Sequence, residues 1–183
     1  MKRGSKSVGK LVVLENSDPI SAETEQIQNR IRERAYELSQ LRGHSGRDVD
    51  DWLSAESEIM SIPPAEMIEK NDTYQVQLAL AGVNAEDVNV MLTPAQMLVR
   101  CEFRHDHNPD SGIIHLCDFK SATVFRSIHF PQPINLESIR IQCQDGMFII
   151  TAEKQSAEQA VRTRKTSHKP AARGKAMGAA GGA

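Results

Sequence analysis

The sequence predicts a mainly β chain: an antiparallel β-sandwich preceded by an αα-hairpin, with disordered termini. Three observations carry this. Past Pro63-Pro64, apolar residues recur at every second position in several short runs, which is the rhythm of half-buried strands. Before that point they recur every three to four residues, which is the rhythm of helices. Towards the last residues neither rhythm survives, and Ala, Gly and Lys dominate, a composition that cannot bury enough apolar surface to order itself.

The elements follow in chain order. Residues 1–20 are charged and read as a disordered arm, with Asn16-Ser17-Asp18-Pro19 as a turn or helix-start signal. Within the arm, Leu11 and Val13, or Val12 and Leu14, alternate in a way that suits an extended segment lying along a strand edge. Residues 21–61 form the hairpin. Ile27, Ile31, Ala35, Leu38 and Leu41 make one helical stripe, with Asp18-Pro19 or Ser21 at its start. Gly43-His44-Ser45-Gly46 breaks that helix, and Ser45 with Asp48 forms a capping-box-like opening to a second. Val49, Trp52, Leu53, Glu56, Ile59 and Met60 fall on or near one face of it. Both stripes are narrow, so the hairpin needs a partner surface. The spacing would let Tyr36 and Trp52 meet across the hairpin.

Residues 62–154 form the sandwich. Tyr74, Val76, Leu78 and Leu80 face one way, and Gln75, Gln77 and Ala79 the other. Val88-Val90-Leu92, Ile128-Phe130, Ile139-Ile141 and Phe148-Ile150-Ala152 repeat the alternation. Asp145-Gly146 between two apolar runs marks a tight hairpin. Residues 97–103 are ambiguous: Met97, Val99, Cys101 and Phe103 suit one face, while Arg100 shares the other with Leu98. Residues 155–183 read as a disordered basic tail.

Composition narrows the function classes. The 183 residues are 39% hydrophobic and only 4% aromatic, enough for one modest core. The run Leu11–Leu14 is far short of the roughly 20 apolar residues of a membrane span, and too short for a signal peptide despite Lys2, Arg3, Lys6 and Lys10 before it. Three cysteines without a CxxC pair exclude a disulfide framework and fit a reducing cytoplasm. The net charge of -2 hides a split: residues 154–183 hold seven Lys/Arg against one acidic residue, and the rest of the chain is acidic. Such a tail reads as solubilising; the alternative is a tail that seeks polyanions.

Catalytic signatures are missing. There is no G-x-x-x-x-G-K-[ST], no dinucleotide fingerprint and no G-x-S-x-G. No catalytic, cofactor or metal site is expected. His105-Asp106-His107, with His115 and Cys117 nearby, raises the question of zinc, but no tight ligand pairs bracket a Pro/Gly-containing loop, which reads as solvated. Cys101, Cys117 and Cys143 lie in apolar contexts that suit inert thiols. The connection Arg104–Lys120 also carries an apolar run, Ile113-Ile114-His115-Leu116-Cys117, that has no reason to stay in water.

Three words within Pro64–Lys154 resemble the α-crystallin domain of the small heat-shock proteins. Leu80-Ala81-Gly82-Val83 with Glu86-Asp87-Val88 is similar to "L-P-G-V … E-D-I". Phe125-Arg126-Ser127-Ile128-His129-Phe130-Pro131 is similar to "F-x-R-x-x-x-L-P". Ile141–Phe148 is similar to "A-x-x-x-N-G-V-L". Ala81 departs from the usual proline, and His129 stands where an arginine is common. Residues 27–60 resemble a short bacterial helical domain of unknown function, through Ile31–Leu38, Gly43, Gly46-Arg47-Asp48 and Trp52-Leu53, which implies a bacterial source.

The first resemblance implies an immunoglobulin-like sandwich and an ATP-independent holdase that binds unfolding clients under stress. It implies a client groove between the strand of Val88, Val90 and Leu92 and the strand of Ile139, Ile141 and Cys143. It also implies a homodimer formed by strand exchange, with Ile113, Ile114 and Leu116 crossing to the partner sheet and Asp118, Arg126 and His129 at the interface. There His129 is either a pH-sensitive contact or an ordinary strand histidine. The family's C-terminal I-x-I/V motif is not found in residues 155–183, so a dimer or small oligomer is expected, with the groove open or closed by the N-terminal arm. No membrane partner is expected. The reading from another class is a non-chaperone dimeric interaction module that touches nucleic acid through Lys165, Lys169, Arg173 and Lys175, although no aromatic platform accompanies them.

Overall fold

Two β-sheets and a layer of helices are stacked in this computed structural model, which describes residues 10–43, 46–80, 82–108, 110, 112–118 and 120–156. The first sheet runs in the order β1 (Lys10–Val13), β5 (Asn89–Leu92), β6 (Gln96–Phe103), β7 (Ala122–His129), β2 (Met60–Ser61). The second runs β3 (Ala65–Lys70), β4 (Thr73–Ala79), β9 (Met147–Glu153), β8 (Arg140–Gln144). The alternating runs place Tyr74, Val76, Leu78, Val90, Leu92, Met97, Val99, Phe148 and Ile150 between the sheets, all buried. Asp145 and Gly146 take φ of 52° and 77°. Positive φ at both central positions matches the twist of the strands they join, and Gln144 pairs with Met147 across the turn.

The helices α1 (Asp18–Leu41) and α2 (Asp48–Ile59) pack on the outer face of the first sheet. Ile20, Ile27, Ile31, Ala35 and Ala55 form one cluster with Leu98 of β6 and Phe125 of β7. The partner surface that the hairpin's narrow stripes require is therefore the sandwich itself. This resolves the ambiguity at residues 97–103. Met97, Val99 and Cys101 point between the sheets, whereas Leu98 and Arg100 point at the helices. Arg100 Nη1 lies 2.6 Å from Glu23 Oε2 on α1, and Nη2 lies 3.0 Å from Glu102 Oε1. Desolvation pulls the guanidinium pKa down, but the hydrogen bond it donates to Glu102 and the charges of Glu23 and Glu102 outweigh it, so the net shift is upward. Between the helices, Arg42 meets the buried Asp51 at 2.6 Å, a contact that the stripes gave no sign of.

Several expectations need correction. Residues 10–20 are ordered rather than a loose arm: they form β1 and the start of α1, with Ile20 fully buried. The N-cap of α1 is Ser17, and the Asp18 N–H donates to Asn16 Oδ1 at 3.0 Å. Leu41 is exposed, so the buried stripe stops at Leu38. On α2, Val49 and Leu53 are exposed and Ala55 holds the inner position. The N-cap of α2 is Arg47, without a side-chain bond, and Ser45 lies outside the described residues. Tyr36 is exposed and accepts from Gln40 rather than meeting Trp52. The strands are not uniformly antiparallel. β1 pairs with β5, and β2 with β7, in parallel, because each joins a helix that carries the chain across the sheet instead of turning back in a hairpin. The remainder of the basic tail, from residue 157, lies outside the described residues.

Candidate functional site

The expected groove strand is placed differently from the expectation. Val88, Val90 and Leu92 are 1%, 0% and 0% exposed, so their side chains belong to the core and line no surface. What β5 offers is its backbone edge, and β1 occupies it. The Lys10 N–H donates to the Val88 carbonyl at 3.1 Å, and the Leu14 N–H to the Leu92 carbonyl at 2.8 Å. The register pairs Leu11 with Val90, Val12 with Met91 and Val13 with Leu92. Directly paired residues share a face in a sheet, so Leu11 and Val13 extend the core face beyond β5 while Val12 turns to the helices. Leu11 and Val13 stay 45% and 53% exposed. From the other sheet, Ile139, Ile141 and Cys143 lie half-buried against the same core. The arm thus lies along the strand edge, the placement its alternation suggested. Cys101, on β6, is buried in the core, and desolvation, with smaller contributions from Glu102 and Asp87, pushes its thiol pKa up to about 11.

A second apolar surface lies across the molecule. Within the connection 104–121 no described residue is in a strand, and Ile113, Ile114 and Leu116 are 86%, 47% and 80% exposed. The run does not fold back on its own sheet. The second sheet ends at β3, whose outer edge pairs with no strand among the described residues and whose Met67 and Ile68 are partly exposed. The sequence did not reveal β3, because Glu66, Glu69 and Lys70 blur its alternation. Asp118 is exposed. Arg126 is half-buried on the core face of β7, and its buried Nε has no hydrogen-bond partner among the described residues. Within one chain, then, the expected pairing of Asp118 with Arg126 is not made. His129 is exposed at the end of β7, opposite Gln96. His105, His107 and Cys117, read from sequence as scattered in a solvated loop, converge. No helix among the described residues is long and apolar enough to cross a membrane.

The two sheets thus combine a β5 edge covered by β1 with edges at β3 and β8 that carry no further strand among the described residues. Residues 66–167 match the Hsp20/alpha crystallin family, and the chain belongs to that family. Residues 26–61 match a second family, described as a protein of unknown function (DUF2934), and they span the hairpin apart from the first residues of α1. The chain is similar to the 17.9 kDa class II heat shock protein of Glycine max, 23% identical over 100 residues that make up 54% of this chain and 63% of the relative. It is 24% identical to the 17.7 kDa class II heat shock protein of Arabidopsis thaliana over 54% of this chain and 65% of the relative. It thus spans less than two thirds of the length of either. Among solved structures, heat shock protein 16.0 from Schizosaccharomyces pombe aligns with a TM-score of 0.48 at 23% identity, covering 51% of this chain and 87% of the other. The hspA structure from Xanthomonas axonopodis aligns with a TM-score of 0.45 at 14% identity, covering 52% and 95%.

Proposed function

We propose that this protein is an ATP-independent holdase of the cytoplasm, which binds exposed apolar segments of unfolding proteins and limits their aggregation. One observation carries the reading: the β5 edge is covered by a four-residue strand of the chain's own arm that leaves two apolar side chains half in solvent. An edge that accepts one extended apolar segment accepts another of the same chemistry, through backbone hydrogen bonds and alternate side chains. With β1 displaced, a client strand would pair with the backbone of Val88, Val90 and Leu92 and lay side chains towards Ile139, Ile141 and Cys143.

The working unit in this reading is a homodimer made by strand exchange, extending to a small oligomer. The exposed run Ile113–Cys117 of one protomer would pair with the bare edge of β3 in the other, covering Met67 and Ile68. Asp118 would then supply a partner for Arg126, whose buried Nε otherwise costs about 1–3 kcal/mol. The test is direct. A model client is heated without ATP, with and without the intact protein, and light scattering is followed. Delayed scattering at substoichiometric to equimolar protein is expected; superimposed curves at stoichiometric excess would refute the reading.

A further inference from the structure

The connection between β6 and β7 begins where the ladder ends, at the pair Phe103 and Ala122. Just beyond, the His105 N–H donates to Ser121 Oγ at 3.0 Å, which fixes the two stems of the loop to each other. On this base His105, His107 and Cys117 bring one donor atom each to within 4.8 Å of one another. His105 Nε2 is already 3.3 Å from Cys117 Sγ, and the His107 ring packs edge-on to that of His105 at 5.0 Å between centroids. A bond between imidazole and thiol would account for the first distance. The third donor, on His107, lies within 4.8 Å of the other two.

We propose that His105, His107 and Cys117 form a zinc site that closes the base of the loop carrying Ile113, Ile114 and Leu116. Zinc takes imidazole nitrogen at about 2.0–2.1 Å and thiolate sulfur at about 2.3 Å in tetrahedral geometry, which sets donors about 3.3–3.7 Å apart. The closest pair meets that spacing, and the widest must contract by only about 1 Å, within reach of a turn of the exposed His107 ring. Two nitrogens and one thiolate are a borderline-soft set, which suits zinc and disfavours magnesium or calcium. The fourth position remains for water. The sequence understated this site because His105-x-His107 and Cys117 lie far apart in the chain. The β6–β7 ladder and Ser121 bring them together, a long-range pairing that no local spacing records. The site holds or falls independently of the holdase reading. Its consequence is mechanical: the ligands bracket the apolar run, so metal would fix where that run is presented.

The experiment uses the full chain, stripped of metal and titrated with zinc(II) alone, with cobalt(II) as the spectroscopic probe. One zinc retained per chain after dialysis is expected, together with a thiolate-to-metal charge-transfer band in the cobalt form. Cys117→Ser should lose the band, and His107→Ala should keep it. Each should weaken zinc by about 100-fold or more, since even loss of an outer partner costs 10–100-fold. Cys143→Ser should change neither property. Zinc should also slow tryptic cleavage at Arg104 and Lys120, a readout independent of affinity. The loop positions lie outside the core, and far-UV circular dichroism checks that the variants fold. No retained zinc, or indistinguishable behaviour of Cys117→Ser and Cys143→Ser, would overturn the proposal.

Discussion

Substituting proline at Val12 and at Val13 separates the hydrogen bonds of the capping strand from its side chains. In the parallel register, the N–H groups of Lys10, Val12 and Leu14 point at β5, as the bonds from Lys10 and Leu14 show. Those of Leu11 and Val13 point away. Val12→Pro removes a ladder donor and sets its ring against the β5 edge. Val13→Pro places the ring on the solvent side, where edge strands tolerate it, and asks of Val12 only the extended backbone it already has. Loss of one ladder bond is worth about 1 kcal/mol, and the ring clash brings the total to about 1–3 kcal/mol. About 1.4 kcal/mol is tenfold in an equilibrium, so Val12→Pro should raise the uncapped population about tenfold or more. Hydrogen exchange in a peptide spanning Val88–Leu92 reads this, because the Val90 and Leu92 amides donate back to β1 in the same register. Exchange should quicken about tenfold in Val12→Pro and stay near wild type in Val13→Pro. Client protection measured by light scattering should rise in the same order. Equal exchange in both variants would refute the capping geometry. Faster exchange with weaker client protection would leave the geometry intact and refute the edge as the client site.

Three further outcomes follow from other parts of the molecule. Ile114→Glu places a charge in the run that the proposed strand exchange buries, at a cost of several kcal/mol; light scattering coupled to size exclusion should show the dimer weakened about 100-fold or more, and an intact dimer would refute the exchange. Leu98→Ala should cost about 2–5 kcal/mol in chemical denaturation, because Leu98 is 1% exposed in the cluster that joins the helices to the sheet; a loss under about 1 kcal/mol would mean that the two layers are not packed as one. For Cys101, the folded thiol titrates at about 11 against about 8.5 in the unfolded chain. The folded state therefore keeps its proton while the unfolded state loses it. The stability is fully present below about pH 8.5 and falls by about 3 kcal/mol as pH rises through about 11. Cys101→Ala should flatten that part of the wild-type profile, and parallel profiles would refute the assignment.

What the sequence disclosed and what it hid divide along a physical line. Alternation at Tyr74–Leu80 and Phe148–Ala152 reports burial on one face, which is local, and those residues lie in the core as read. Asp145-Gly146 reports backbone conformation, also local, and its turn is there. Arg100 was legible only as a conflict. Its charge on an apolar face signals a missing partner, but nothing nearby in sequence says that the partner is Glu23, far back in α1. Val88, Val90 and Leu92 were read as groove residues by resemblance, while their alternation with Asn89 and Met91 already marked them as core. For edge strands the signal fails outright. β3 carries Glu66, Glu69 and Lys70, as an edge does to stay soluble, and those charges erase the alternation that would have announced it.

The order of the elements gives the cap a further property. Leu14 makes the last backbone bond to the β5 edge and packs with the helix cluster, and α1 begins only at Asp18. The arm is thus tied by a few residues to a hairpin that is itself fixed on the sheet through Leu98, Phe125 and the Glu23–Arg100 pair. A short tether holds a segment at an effective concentration of about millimolar. A client strand of equal intrinsic affinity at about micromolar would be outcompeted about 1,000-fold, so on the holdase reading the resting protein should protect clients poorly. Two things reverse this balance. A client with larger apolar side chains than Leu11 and Val13 binds more tightly, and warming loosens the packing that anchors the tether. The second is separable by experiment. Leu98→Ala leaves every backbone bond of β1 in place but weakens its anchor, so it should lower the temperature at which client protection begins. An onset temperature unchanged from wild type would show that the cap is released without the hairpin, and the tether would have no part in control.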